Sequence, residues 1–214
     1  MLLFFVGLFK TIQSLTFYNP AENSLNIIQN RGFLPDMQNS YARWPNKAMD
    51  IKNDAYKTGM KCSATVKIIF YTNSSHLYIN YTKSKIYTYQ HLSHWATSGF
   101  ALYGADEDGS LHLCMPEIEP NTFTTFSALL NYYLLPEKIT EYHLILLSFD
   151  EVNQLNIGVA DGSYFEYAKS LNERPVVLYG TSIMHGACPC HAGNTWPNML
   201  HRSLDFPIFN MGVT

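Results

Sequence analysis

The chain has 214 residues, 47% of them apolar, and 14 basic residues against 17 acidic ones leave a formal net charge of −3. That is enough apolar material for one large domain or two small ones with a genuine core, and it argues against a disordered chain. No block of Lys or Arg forms a phosphate-binding face, so nucleic acid is not an expected partner.

The amino terminus, MLLFFVGLFKTIQSLTF, opens with an apolar run of about nine residues, too short to span a bilayer and suited to a signal-peptide h-region. Residues 1–15 are therefore expected to be a signal peptide, with small Ser14 beside the cleavage point, and the protein to be secreted or periplasmic. The alternative is an ordinary first strand. No later segment is long and apolar enough to cross a membrane, so no span is expected after signal removal. Four cysteines, Cys62, Cys114, Cys188 and Cys190, are too few for a disulfide scaffold. In a eukaryotic secretory route, Asn73 in NSS and Asn80 in NYT would be glycosylation acceptors.

From Ala64 to Tyr81, ATVKIIFYTNSSHLYINY places Val66, Ile68 and Phe70 on one face, then Leu77, Ile79 and Tyr81 after a polar turn. This period of two predicts a β-hairpin with one buried face. GFALYG, SLHLCM, YHLILLSF and QLNIGV follow as further short strands between turn residues, which predicts an all-β sandwich over residues 16–170.

The character changes near SLNERP. VVLYG and FPIFNMG are apolar runs without alternation, as expected of parallel strands covered on both faces. Between them, NTWPNMLHRSL sets Trp196, Met199, Leu200 and Leu204 on one helical stripe, with Thr195 able to cap and Pro197 acceptable in the first turn. Strand, loop, helix, strand over residues 171–214 reads as the start of an α/β domain. Such a unit leaves a sheet edge and an apolar helix face uncovered, so the β domain is expected to fold better without the residues after about Ser170.

Ser182 stands at the carboxyl end of the first parallel strand, where open α/β sheets place their ligands. Gly180 permits a sharp turn, and Gly186 keeps the next segment close. A serine there presents its hydroxyl outward while its own N–H points at a developing oxyanion; the alternative is a local turn hydrogen bond. HGACPCH puts His185, Cys188, Cys190 and His191 within seven residues, a soft-metal ligand set in type, but Cys-x-Cys is tighter than structural zinc spacing. No metal or other cofactor is favoured. In YTYQHLSHWATSG, Tyr89, His91, His94 and Trp95 cluster in a stretch that either overhangs the neighbouring domain or packs on the sheet edge.

YGTSIMHGACPCHAGNTWPNMLHRSL followed by FPIFNMGVT resembles the first conserved block of the SGNH, or GDSL-type, hydrolases and the run-up to the second. Gly180, Thr181, Ser182 and Gly186 match the family pattern. Upstream, YARWPNKA, SGFALYG and EYHLILLSFDEVNQLNIGVADGSYFE resemble the amino-terminal β-sandwich of a subgroup named for a Gly-x-Asp-Leu-Tyr motif. Gly99, Leu102 and Tyr103 match it, and Ala101 stands where its Asp is expected.

The resemblance implies a jelly-roll-like sandwich followed by the first βαβ portion of a flavodoxin-like α/β domain. It implies a serine esterase that removes acyl groups, acetyl among them, from a small-molecule or carbohydrate ester. Ser182 would be the nucleophile and one oxyanion donor, with Gly186 and Trp95 as candidate substrate-binding residues. The family's remaining donors, a Gly and an Asn, and its His base in Asp-x-x-His belong to later blocks. This chain contains neither Gly-x-Asn-Asp nor Asp-x-x-His. It is therefore expected to be an amino-terminal fragment with little or no turnover. The other reading is a non-catalytic β-sandwich that binds a glycan or a partner, with a vestigial α/β tail.

Overall fold

The computed structural model describes residues 14–213 except 24, 34–36, 38, 39, 85–88, 115–123, 131–137, 171, 172 and 205. The apolar run of the expected signal peptide lies outside the described residues. Leu15 already belongs to the first strand.

Two antiparallel sheets are built from strands lying between Leu15 and Tyr167. One orders β1 (Leu15–Tyr18), β9 (Val152–Ala160), β4 (Leu77–Lys83) and β7 (Thr125–Leu130). The other orders β10 (Phe165–Tyr167), β3 (Lys67–Thr72), β8 (Thr140–Ile145), β5 (Ala101–Ala105) and β6 (Leu111–Leu113), with β2 (Ile28–Gln29) also on β3. Val66, Ile68, Phe70, Leu77 and Ile79 are fully buried, and they join Leu144, Leu155 and Ile157 in one apolar cluster fed by both sheets. The alternation read from the sequence is thus the inward face of each strand.

The predicted hairpin at residues 64–81 is not formed. β3 pairs with β8, β10 and β2, whereas β4 pairs with β9 and β7 in the other sheet. Alternation is the same for two strands that pair and for two that face each other across a core, so the pattern cannot separate the cases. What fixes the crossing is the polar turn. Ser74 Oγ accepts the Ala160 N–H at 2.9 Å, and Thr72 Oγ1 donates to the Tyr164 carbonyl at 2.6 Å.

Helix α1 (Asp54–Lys61) starts at Asn53, whose side chain accepts from the Ala55 and Tyr56 N–H groups. The short helix α2 (His94–Thr97) is capped by Ser93 and followed by buried Ser98. Ser98 Oγ bridges Lys83 Nζ at 2.7 Å and Asp150 Oδ2 at 2.9 Å, and the Lys83–Asp150 ion pair closes the triangle at 3.0 Å.

In the carboxyl-terminal part, β11 (Val176–Gly180) and β12 (Ile208–Gly212) pair in parallel, with α3 (Ser182–His185) and α4 (Trp196–Leu204) between them in sequence. Only β12 is covered as expected. Ile208 and Asn210 are fully buried, while Val177 is 52% and Tyr179 76% exposed. Helix α4 turns Pro197, Asn198 and His201 inward and leaves Met199 52% exposed. Its apolar stripe is thus uncovered, as expected.

The unit nevertheless does not hang free of the sheets. Asn30 Oδ1 accepts the Ile208 N–H at 3.2 Å, Phe209 packs edge-on against Phe33, and Arg43 donates to the Asn210 carbonyl at 3.0 Å and the Gly212 carbonyl at 2.7 Å. These side chains occupy the outward-facing backbone groups of β12, so its outer edge is closed by the β body. That packing speaks against the expectation that the β body gains from losing the tail.

Candidate active site

Strand β11 ends at Gly180, and Ser182 opens α3 two residues later. The His185 N–H donates to Thr181 O at 3.0 Å, and the Ala187 N–H returns to Ser182 O at 3.0 Å, so the serine sits on a closed, tight turn. Gly186 ends that turn at φ 100°, a left-handed conformation that a side chain would strain, and a Cβ there would meet Thr195 Cβ at 2.7 Å. Gly180 has no room either, since a Cβ would lie 2.5 Å from Met184 Cγ. Ser182 is half-buried, beside 73%-exposed Ile183. As the first helical residue it has no intrahelical acceptor for its N–H.

The two parallel strands end side by side, Gly180 opposite Gly212, with the Val213 N–H on Gly180 O at 3.1 Å. A side chain at Gly212 would collide with the backbone of His185. Buried Asn210 fastens the same corner: its Oδ1 accepts the Gly212 N–H at 2.9 Å and its Nδ2 donates to His185 O at 3.3 Å.

His185 is engaged with the β body. Its Nε2 donates to the Ser148 carbonyl at 2.5 Å, and its ring stacks on Phe149 with centroids 4.5 Å apart and planes at 8°. Nδ1 is buried and has no hydrogen-bond partner among the described residues. Burial first, then the nearby Arg43 cation, lowers its pKa to about 3, against the pull of the Ser148 carbonyl. It is therefore a neutral ring committed to the interface, not a base for Ser182. Other histidines are engaged elsewhere: His143 with Glu141, His112 with Asp106 and His201 with the Phe206 carbonyl.

The remaining ligand types of HGACPCH do not converge. Cys188, at φ 62°, and Cys190 are exposed thiols, Cys190 Sγ accepts from Asn194 Nδ2 at 3.2 Å, and His191 is buried. Burial, with Arg202 adding repulsion, lowers the pKa of His191. Among the described residues no group of three or more His, Cys, Asp or Glu is placed to hold a metal.

Trp95 is a packing residue. Its ring lies 6.3 Å from Phe100 and 6.4 Å from Phe126, and it covers Gly99, where a Cβ would come within 2.9 Å of the Trp95 backbone. The stretch does reach the α/β unit, but through Ser93, whose Oγ donates to the Cys190 carbonyl at 2.9 Å.

Tyr103 has a comparable role. Arg202 stands 4.6 Å over its ring and donates to Gly193 O at 2.7 Å, and a Cβ at Gly193 would strike the ring at 2.7 Å. Ala101, where the motif expects Asp, is fully buried with Ile145 and Ala192 at the same contact. Sequence reasoning missed Asn30, Arg43, Ser93, Arg202 and Asn210. Of these only Asn210 carried a signal, as a lone amide in an apolar strand.

Comparison with known proteins places these features. Residues 15–165 match the N-terminus of SGNH-hydrolase-type esterases, the GxDLY domain, and residues 173–214 match the GDSL-like lipase/acylhydrolase family. No curated protein sequence matches the chain. Among solved structures, a protein described as a GDSL-like lipase from Bacteroides ovatus ATCC 8483 superposes with a TM-score of 0.81 at 22% identity, over 94% of this chain and 57% of that one. The salicylyl-acyltransferase SsfX3 from a tetracycline biosynthetic pathway gives 0.59 at 16% identity, over 92% and 54%. Both share the fold, and the chain spans a little over half the length of each.

Proposed function

The chain belongs to the SGNH-hydrolase-type esterases with a GxDLY amino-terminal domain, and from that membership we propose that Ser182 is the nucleophile of an ester-hydrolysing site. The observation that carries the reading is the placement of Ser182 on a tight turn, at the carboxyl end of β11 and beside the end of β12. In the reaction, Ser182 Oγ attacks the ester carbonyl and gives up its proton to solvent, the alcohol takes up a proton as it leaves, and water then cleaves the acyl-enzyme. The Ser182 N–H donates to the oxyanion. The acyl group is small, acetyl among the candidates, and the alcohol is a carbohydrate-like molecule. The protein is exported, with the signal peptide removed near Ser14.

The finer fold reading goes with this function: the two sheets form a jelly-roll-like sandwich, and β11, α4 and β12 open a flavodoxin-like sheet. This chain contains neither Gly-x-Asn-Asp nor Asp-x-x-His, so both its ester turnover and its phosphonylation at Ser182 are slow.

The test is labelling with a p-nitrophenyl phosphonate, followed by peptide mass mapping, beside a p-nitrophenyl acetate assay. A phosphonyl adduct on Ser182 that Ser182→Ala abolishes supports the reading. Labelling scattered over other hydroxyls sinks it. A second reading, a non-catalytic module that binds a glycan or partner, is favoured by His185, because the histidine nearest the serine in sequence is held by the β body. It predicts no Ser182 adduct and saturable glycan binding by the chain.

A further inference from the structure

We propose that Arg43, far from Ser182 in sequence and set in the β body, is a positioning residue of the Ser182 site, acting through β12 and His185. The inference rests on the reading of Ser182 as nucleophile.

The side chain of Arg43 is fully buried and its partners are carbonyl groups. Nε donates to Cys62 O at 2.9 Å, one terminal nitrogen to Gly59 O, and the other to Asn210 O at 3.0 Å and Gly212 O at 2.7 Å, with Asn210 Oδ1 at 3.4 Å. The guanidinium thus joins α1 and the residue after it to the last turn-side carbonyls of β12. Burial lowers its pKa only to about 10, so it is a cation at neutral pH, solvated by fixed dipoles.

From β12 the linkage runs on without a gap. Asn210 holds the His185 carbonyl, and Gly212 lies against the backbone of Met184 and His185, too close for any side chain. His185 is fixed from the other side by the Ser148 carbonyl and the Phe149 ring. Ser182 belongs to the same four-residue helix, so the β body grips the helix that opens on the serine at two points. A reacting oxygen misplaced by about 1 Å costs on the order of a hundredfold in rate, which gives such a grip a chemical consequence.

Lysine cannot replace this arginine, because one ammonium cannot reach acceptors on three segments at once. The test compares the unmodified chain with Arg43→Lys and Arg43→Met by amide hydrogen exchange and by the second-order rate of Ser182 phosphonylation. In both variants, exchange at residues 182–186 and 208–213 should rise by about tenfold or more while β4 and β9 keep their protection. Phosphonylation should slow several-fold. Unchanged exchange at the turn overturns the proposal, and so does a parallel rise in β4 and β9, which would mean general loosening. An unaltered Ser182 labelling rate alongside a loosened turn also overturns it. If the unmodified chain gives no adduct beyond Ser182→Ala, the nucleophile reading fails, and with it Arg43's role in catalysis. The exchange data then still show whether Arg43 holds the turn.

Discussion

At His185 the ordinary imidazole pKa of 6.5 falls to about 3, because burial disfavours the cation and Arg43 repels it. Between those values the unfolded chain holds the extra proton, so the stability tied to this ring is complete above the unfolded pKa and is lost as pH falls toward the folded one. The slope is at most about 1.4 kcal/mol per pH unit. His185→Phe keeps the stack on Phe149 and removes the titration. Urea unfolding at about pH 7 and about pH 5 should therefore show a smaller acid loss in the variant than in the unmodified chain. Equal losses would assign the acid sensitivity to other groups. Gly180 and Gly186 were legible in the sequence, because a tight turn after an apolar strand leaves no room for a side chain at either. Arg43 was not, since it follows no periodic pattern and its acceptors are backbone carbonyls that no sequence displays.

Strands were legible for the same reason that their pairing was not. Alternation tells which side chains of β3 and β4 face the core, and Ile68, Phe70, Leu77 and Ile79 are indeed fully buried. It is silent on which sheet each strand joins. In α4 the apolar stripe was correctly read, yet the helix docks by Pro197, Asn198 and His201, because its neighbour there offers polar groups: Asn198 Nδ2 donates to Ala192 O at 2.8 Å. Lys83 breaks the strand pattern in a different way, standing at an inward position of β4 where an apolar residue is expected. Its ion pair with Asp150 is almost wholly buried, and burial raises the Asp150 pKa despite the opposing pull of Lys83 and Ser98. Removing one partner strands the other charge. Lys83→Met should cost about 3–5 kcal/mol in urea unfolding, and Lys83→Met with Asp150→Leu clearly less. A single-variant cost under about 1 kcal/mol would mean that water reaches the pair.

For the molecule as a whole, stability and solubility pull in opposite directions. A chain ending at Ser170 loses Ile208, Phe209 and Ala192 from the interface, and Arg43, Asn30, Phe149 and Tyr103 lose partners. Uncovering two large apolar side chains and their sockets costs about 2–4 kcal/mol after Arg43 is rehydrated. The shortened chain should thus melt lower by roughly 5 °C or more. It also sheds Val177, Tyr179, Ile183 and Met199, each more than half exposed in the full chain, together with the edge of β11 that pairs with no strand among the described residues. Sedimentation of the full chain should accordingly show concentration-dependent association that the shortened chain lacks. If the shortened chain melts at or above the full chain, the β12 interface contributes no net stability, and the Arg43 linkage is then a contact without energetic weight. A lower melting point with reduced association makes the tail an integral wall of the β body whose other face is the self-associating one.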